Sequence, residues 1–301
     1  MITVKIHAGL GNQMFQYAFG RALSLKNHDQ LRVDPAMLYD VLKTRSIAPR
    51  NYALSTVFAI NPQFNWTSRM QTVIKVPYLS KAFNRYYPRI FGALGVWRYL
   101  QEKKHYTFDA GTYNATGNLY LDGFWQTEKY FKAYEATIRK DFSFRAPLQG
   151  ATAQLAGEIR NSNAVCLNVR RQEIFSDATL RAMYDVASPE YYDSALQLMK
   201  EKAGAGIVVF VISDDIGWCR KNMKINAEHR FIGTEHYGAE FRDALQLMTL
   251  FKYFILPNSS FAWWGAWLAE PPDKVVIAPR RWNRTPGVDN PDLLPEAWIA
   301  L

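Results

Sequence analysis

Past residue 150 the chain alternates short apolar runs with segments of helical period, and that alternation leaves few architectures open. Residues 165–169, 207–212, 253–256 and 275–278 read as strands, with 230–232 a shorter extended stretch. Between them the spacing predicts a helix opened by Ser188 and Pro189, whose buried face is Tyr192, Ala195, Leu196 and Met199. A serine cap followed by proline at the first helical position is a start signal. Further helices are expected over 239–251 and from Asn258-Ser259-Ser260 through 270. Strands that alternate with helices form a parallel sheet covered on both faces.

The amino-terminal half opens the same way. Ile2, Val4 and Ile6 share one strand face, Ala8-Gly9-Leu10-Gly11 makes a turn, and Met14, Phe15, Ala18, Phe19, Ala22 and Leu23 recur at helical spacing. A strand over 31–33 follows, ended by Asp34-Pro35, and later a strand over 118–124 and a helix over 128–139. Residues 44–117 are less regular. Turn residues cluster at 146–150, so the chain divides into residues 1–148 and 149–301, each a Rossmann-like unit, with a cleft between them. The length of 301 residues suits one large or two medium domains.

Composition narrows the function classes. Lysine and arginine number 36 against 27 acids, a formal charge of +9 that attracts polyanions. No Lys/Arg block marks a nucleic-acid footprint. Lys75, Lys81, Arg85, Arg89 and Arg98 interleave with Tyr78, Phe83, Tyr86, Tyr87, Phe91 and Trp97, which reads either as an ordinary amphipathic helix pair or as an interfacial surface. Two cysteines, Cys166 and Cys219, are too few for a disulfide framework or zinc cluster. No apolar run reaches bilayer length and the start lacks the marks of a signal peptide, so a cytoplasmic protein is expected, with peripheral contact at the inner membrane face.

In an open α/β sheet, ligands bind beyond the carboxyl ends of the strands. Four segments fall there. Gly9-Leu10-Gly11-Asn12-Gln13 could bring backbone N–H groups to an anion, or Asn12 and Gln13 could simply cap the helix. With Asp34 spaced 23 residues past Gly11, a dinucleotide site also stays open. Arg170-Arg171, after a buried strand, suits a diphosphate; alternation would send the two to opposite faces, one to a ligand and one to an internal pair. Ser213-Asp214-Asp215 reads as helix capping, with nucleoside contact as the alternative; paired aspartates invite a metal, but no Asp-x-Asp or histidine cluster accompanies them. Ser259 and Ser260 open an aromatic helix, where hydroxyls, backbone N–H and dipole could meet phosphate oxygens, or Ser259 is only the cap. Trp263, Trp264 and Trp267 read as core.

At these residues the chain resembles a known family. Gly9-Leu10-Gly11-Asn12-Gln13-Met14-Phe15-Gln16-Tyr17-Ala18 looks like the amino-terminal signature of the α-1,2-fucosyltransferases of glycosyltransferase family eleven. Asn258-Ser259-Ser260-Phe261-Ala262-Trp263-Trp264-Gly265-Ala266-Trp267-Leu268 resembles its other long motif, and Arg170-Arg171 sits where the family carries His-x-Arg-Arg-x-Asp. The resemblance implies a GT-B fold, two facing Rossmann-like domains with a central cleft, the carboxy-terminal one binding GDP-fucose. It implies inverting transfer of L-fucose to the 2-hydroxyl of a galactoside, with no metal and no cofactor beyond the donor substrate.

Roles follow position by position. Arg170 would hold the β-phosphate, Ser259 and Ser260 would add phosphate hydrogen bonds, and Gly9, Gly11 and Asn12 would face the same pocket. Asp243 would recognise guanine, and Arg171 would be structural. Asn168 stands where the family has histidine, Gln172 replaces a small residue, and Glu173 stands where the family has aspartate. The acceptor's general base is then Glu173, Asp177 or His7. The acceptor is an oligosaccharide, and the basic-aromatic region suits a lipid-linked one. Asn168 and Glu173 also motivate a second class, a non-catalytic nucleotide-sugar or glycan binder.

Overall fold

The computed structural model describes residues 1–38, 51–65, 77–171, 177–204, 206–237 and 241–301. The chain forms two α/β units, Met1–Arg145 with Asn290–Leu293, and Ala146–Asp289 with Leu294–Leu301. The turn cluster predicts one break at 148, which puts 290–293 in the second domain. That short return belongs to unit 1 because Asp292 accepts hydrogen bonds from the Phe108 N–H (2.7 Å) and Lys129 Nζ (2.6 Å).

In unit 1, β1 (Ile2–Lys5) leads through the glycine turn into α1 (Leu10–Lys26), then β2 (Leu31–Asp34), β3 (Gln63–Phe64), α2 (Pro77–Ala93), β4 (Arg98–Gln101) and β5 (Leu119–Asp122). All strand pairs are parallel, in the order β3-β2-β1-β5-β4. Met14, Phe15, Ala18, Phe19, Ala22 and Leu23 of α1 are fully buried, as their spacing predicts. The helix expected over 128–139 is instead two 3-10 turns, Glu128–Tyr130 and Lys132–Tyr134, followed by α3 (Glu135–Asp141). Phe131 leaves helical dihedrals (φ −137°) between the turns, and it and Tyr130 are both buried.

Unit 2 runs α4 (Gly150–Arg160), β6 (Ala164–Val169), α5 (Ala178–Tyr184), α6 (Pro189–Ala203), β7 (Val208–Ser213), α7 (Ile216–Asn222) and β8 (Glu228–Ile232). It continues through α8 (Phe241–Met248), β9 (Tyr253–Ile255), α9 (Ser260–Leu268), β10 (Val275–Ala278) and β11 (Ile299–Ala300). Its parallel sheet has the order β11-β10-β9-β6-β7-β8, the doubly wound arrangement in which the winding reverses between β6 and β9. Helices cover both faces. One core layer sets Phe210, Phe254, Met248 and Ala262 together, and the other Val165, Val209, Met199 and Ile255. Gly265 lets α9 approach α8, since a Cβ there would stand 2.9 Å from Met248 Cβ. Trp263, Trp264 and Trp267 are buried core, as expected. Among the described residues no helix is long and apolar enough to cross a membrane.

Candidate functional site

The reversal between β6 and β9 opens a crevice at the carboxyl edge of unit 2's sheet, and both strands deliver unusual residues to it. The end of β6 is held from two sides. Asn168 Nδ2 donates to the Ile212 carbonyl (3.0 Å), and the Asn168 carbonyl accepts from the Tyr192 hydroxyl (3.2 Å). The residue in the family histidine's place is therefore a buried tie between strands. Strand pairing stops at Val169, so alternation no longer governs the next two residues. Arg170 and Arg171 both line one cavity of about 240 Å³, together with Arg181, Asp185, Ser188 and Trp218. The expectation of opposite faces fails for that reason. Arg171 is nonetheless tied internally: its guanidinium lies 3.5 Å from the Trp218 ring centroid, and its backbone N–H donates to Asp214 Oδ1 (2.7 Å).

The end of β9 contributes Asn258 to the same wall. Its Nδ2 donates to the carbonyls of Tyr184 (2.9 Å) and Trp282 (3.0 Å), which settles which way the amide points. Its Oδ1 is buried and has no hydrogen-bond partner among the described residues. A buried acceptor left unpaired costs ~1–3 kcal/mol, so this oxygen calls for a donor from a ligand or water. Asn258 thus does more than the sequence reading gave it. Ser259 Oγ caps α9 by accepting from the Ala262 N–H (3.3 Å), and Ser260 is the first residue of that helix.

A helix start does face the cavity, but it is that of α6. Ser188 and Pro189 line the wall, and Ser188 Oγ accepts from the Tyr191 N–H. The partial positive charge of a 15-residue helix adds to three guanidiniums. Sequence reasoning found this helix start without locating it at the sheet edge. It left residues 178–184 unassigned, so Arg181 escaped it.

The remaining unit 2 candidates fall elsewhere. Asp215 caps α7 by accepting from the Trp218 N–H (3.0 Å), as capping by this pair predicts. Asp177 caps α5, its Oδ1 accepting from Thr179 and Leu180. Asp243 on α8 accepts from Arg242 Nε (2.7 Å) and is not part of the cavity wall. Glu173, Gln172 and Lys75 lie outside the described residues.

In unit 1 the winding reverses between β1 and β5, and the residues after them meet as well. The His7 and Phe124 rings stand 4.7 Å apart, and the His7 N–H donates to Gln16 Oε1 (3.0 Å). Burial, helped by the charge on Lys5, pushes His7 down to about 4, so it is neutral at neutral pH. Ala8 (φ 64°), Tyr106 (φ 58°) and Trp125 (φ 58°) take left-handed backbone in the segments leaving β1, β4 and β5. Such conformations gather where surrounding structure over-determines them.

Gly9 precedes α1 in extended backbone without a side-chain cap, and Gly11 is buried. Neither polar residue of the signature caps the helix. Asn12 Oδ1 accepts from Gln126 Nε2 (2.7 Å). Gln13 donates to the Ala8 and Asn51 carbonyls and accepts from the Ala53 N–H, stapling two loops to the helix start.

Asp34 accepts from the Ala36 N–H and from the hydroxyls of Tyr87 and Tyr120. Burial raises it to about 6 despite the Tyr120 hydrogen bond, which acts the other way. A carboxylate so enclosed is not placed to read a ribose, which removes the dinucleotide reading built on its spacing. Lys5 pairs with Asp122 (3.0 Å), which also accepts from the Tyr99 hydroxyl (2.6 Å). Among the described residues no group of three or more His, Cys, Asp or Glu could hold a metal ion.

The chain is 28% identical to an alpha-1,2-colitosyltransferase of Escherichia coli, over all of this chain and 99% of that one. It is 26% identical to galactoside alpha-(1,2)-fucosyltransferase 1 of Sus scrofa, over 89% of this chain and 65% of that protein. Among solved structures, the fucosyltransferase NodZ from Bradyrhizobium superposes with a TM-score of 0.51 at 12% identity, covering 88% of this chain and 91% of NodZ. That likeness supports the fold, two Rossmann-like units of the GT-B class. The family model for glycosyl transferase family 11 matches residues 1–301, and the chain belongs to that family of glycosyltransferases.

Proposed function

We propose that this glycosyltransferase moves L-fucose from GDP-β-L-fucose to the 2-hydroxyl of a galactoside, giving an α-1,2-fucoside by inversion and using no divalent metal. The observation that carries the reading is the unit 2 cavity, where Arg170, Arg171, Arg181 and the start of α6 surround about 240 Å³. Guanidinium forks and a helix N-terminus suit a diphosphate. The names of two relatives, the colitosyltransferase and the pig fucosyltransferase, both specify an α-1,2 linkage.

In this reading Arg170 holds the β-phosphate. As the bond from C1 to the phosphate oxygen breaks, negative charge gathers on departing GDP, and the guanidinium stabilises it. One such preorganised donor is typically worth ~10²–10³ in rate. The start of α6 adds its partial positive charge toward the phosphate oxygens, while Ser259 and Ser260, which the motif names for that role, stand outside the cavity wall. Asp243 accepts from the guanine N1–H and 2-amino group. The acceptor 2-oxygen bonds to C1 on the opposite face, and its proton passes to a carboxylate, Glu173 or Asp177. Proton transfer of that kind contributes ~10²–10⁴-fold.

A second donor has an observation in its favour, the whole-length similarity to a colitosyltransferase. Colitose is L-fucose without its 3-hydroxyl, so sites for the two differ by the partners of one hydroxyl. The test offers GDP-fucose, GDP-colitose and UDP-galactose to the protein in excess EDTA, with lactose as acceptor, and reads the product linkage by NMR. Fucose on the 2-hydroxyl is the expected product. A requirement for added metal, a preference for the UDP-sugar or another linkage would overturn the proposal. GDP binding by calorimetry with no product after long incubation would make the protein a nucleotide-sugar binder instead.

A further inference from the structure

We propose that unit 1 docks on an anionic phospholipid bilayer through the outer face of α2 and the turn that follows it. The helix carries two apolar rows, each spaced i, i+4, i+8, where a helix on one sheet needs only one. Phe83, Tyr87 and Phe91 form the inner row, packed with Trp97 and Tyr120 and fastened where the Tyr87 hydroxyl meets Asp34. Tyr86, Ile90 and Leu94 form the outer row, 48%, 55% and 71% exposed, and Val96 beside it is 40% exposed. The Leu94 N–H still bonds the Ile90 carbonyl (3.0 Å), so the row runs past the helix end. Single exposed apolar residues are ordinary, whereas a contiguous row marks a contact surface.

Charge names the partner. Residues 41–101 contain nine lysines and arginines and no acid, so the other 240 residues carry 27 of each sign. The whole net charge of the protein therefore belongs to the segment that contains α2. Arg89 and Arg98 are exposed near the outer row, and Arg89 is steadied by Gln101 Oε1 at 3.0 Å. Among polyanions, a nucleic acid would satisfy the arginines and leave Ile90, Leu94 and Val96 in water. Hydrocarbon beneath anionic headgroups satisfies both kinds of side chain at once. No described helix is long and apolar enough to span a membrane, so the contact is peripheral.

The surface is independent of the donor reading. Its test is flotation of the whole protein with vesicles of phosphatidylcholine, with and without phosphatidylglycerol, at low and high salt. Wild type is expected to float with the anionic vesicles at low salt and to be released by salt or by omission of phosphatidylglycerol. Ile90→Ser/Leu94→Ser should bind anionic vesicles at least tenfold more weakly, with unchanged thermal midpoint and unchanged GDP binding. Absence of enrichment on anionic vesicles overturns the proposal, as does a double variant that floats like wild type. A wild-type mass of two chains that becomes one in the variant, without flotation, would assign the row to a second copy and overturn it too.

Discussion

At the carboxyl edge of unit 2's sheet the groups that meet are Arg170, Arg171 and Arg181, with Asp185 the carboxylate beside them. At the corresponding edge of unit 1 they are Asp34, Asp122 and Glu102, with Lys5 bonded to Asp122 and His7 held neutral. Glu102 spends its oxygens on the N–H groups of Phe124 and Trp125 and on His105. Both sheets are parallel, and both reverse their winding at the point in question. The topology therefore does not choose the ligand. The first residues past each strand do, and here they leave arginines facing a cavity at one edge and carboxylates spent on internal partners at the other.

Charge at the unit 2 edge gives the largest expected effect. Arg170→Ala should lower kcat by ~10²–10³ with the thermal transition unchanged, because the guanidinium acts on the leaving group. A near-normal rate would take the arginine out of its assigned role. The unit 1 control is Asp122→Asn, for which GDP affinity by calorimetry should stay at the wild-type value. If both variants weakened GDP binding alike, the contrast between the edges would be lost.

Asn258→Ala comes next. It removes one donor each from the Tyr184 and Trp282 carbonyls and should cost ~1–3 kcal/mol in chemical denaturation. If Oδ1 serves the donor, saturating GDP will shift the midpoint of this variant less than that of wild type. Ser259→Ala removes the cap on α9 and should cost ~1 kcal/mol. A loss of turnover beyond that fall in stability would show the hydroxyl reaching phosphate as well.

The unit 1 edge is tested separately, by pH. His7 titrates near 4 in the folded protein against an ordinary 6.5. Between those values the unfolded chain binds a proton that the folded chain refuses, so stability rises with pH through that window and is complete above it. Asp34 acts in the opposite sense. Raised to about 6 from 3.8, it keeps a proton that the unfolded chain gives up, so its contribution falls as pH rises between those values. His7→Gln should flatten the rising part of a denaturation profile taken across this range. A profile unchanged by the substitution would mean that His7 is solvated and titrates normally.

The core elements were readable because each obeys its own local period. Pro189–Ala203 buries the four residues its spacing names, and Leu10–Lys26 buries its apolar row. Where period and burial part company, the reading slipped. Residues 128–139 look helical, yet Tyr130 and Phe131 both turn inward and break the run into turns. The short, half-polar β4 gave no alternation to find, with burial that runs exposed, half-buried, half-buried, exposed. The arginine pair and the strand end at Val169 are both legible in the sequence, but the geometry of the pair is not, because strand alternation does not extend to residues beyond the last paired one.

The amino-acid order alone determined the strand–helix alternation, the two Rossmann-like units and the motifs that mark family 11, since each is a pattern within a few neighbouring residues. Tertiary structure alone decided which of those residues meet. Asn258 finds its carbonyl partners at Tyr184 and Trp282, 74 and 24 residues away, and Arg171 lies over Trp218, from another strand's helix. Local periodicity says which way a side chain leaves its own backbone. It carries no record of which distant loop the sheet order will bring to its side.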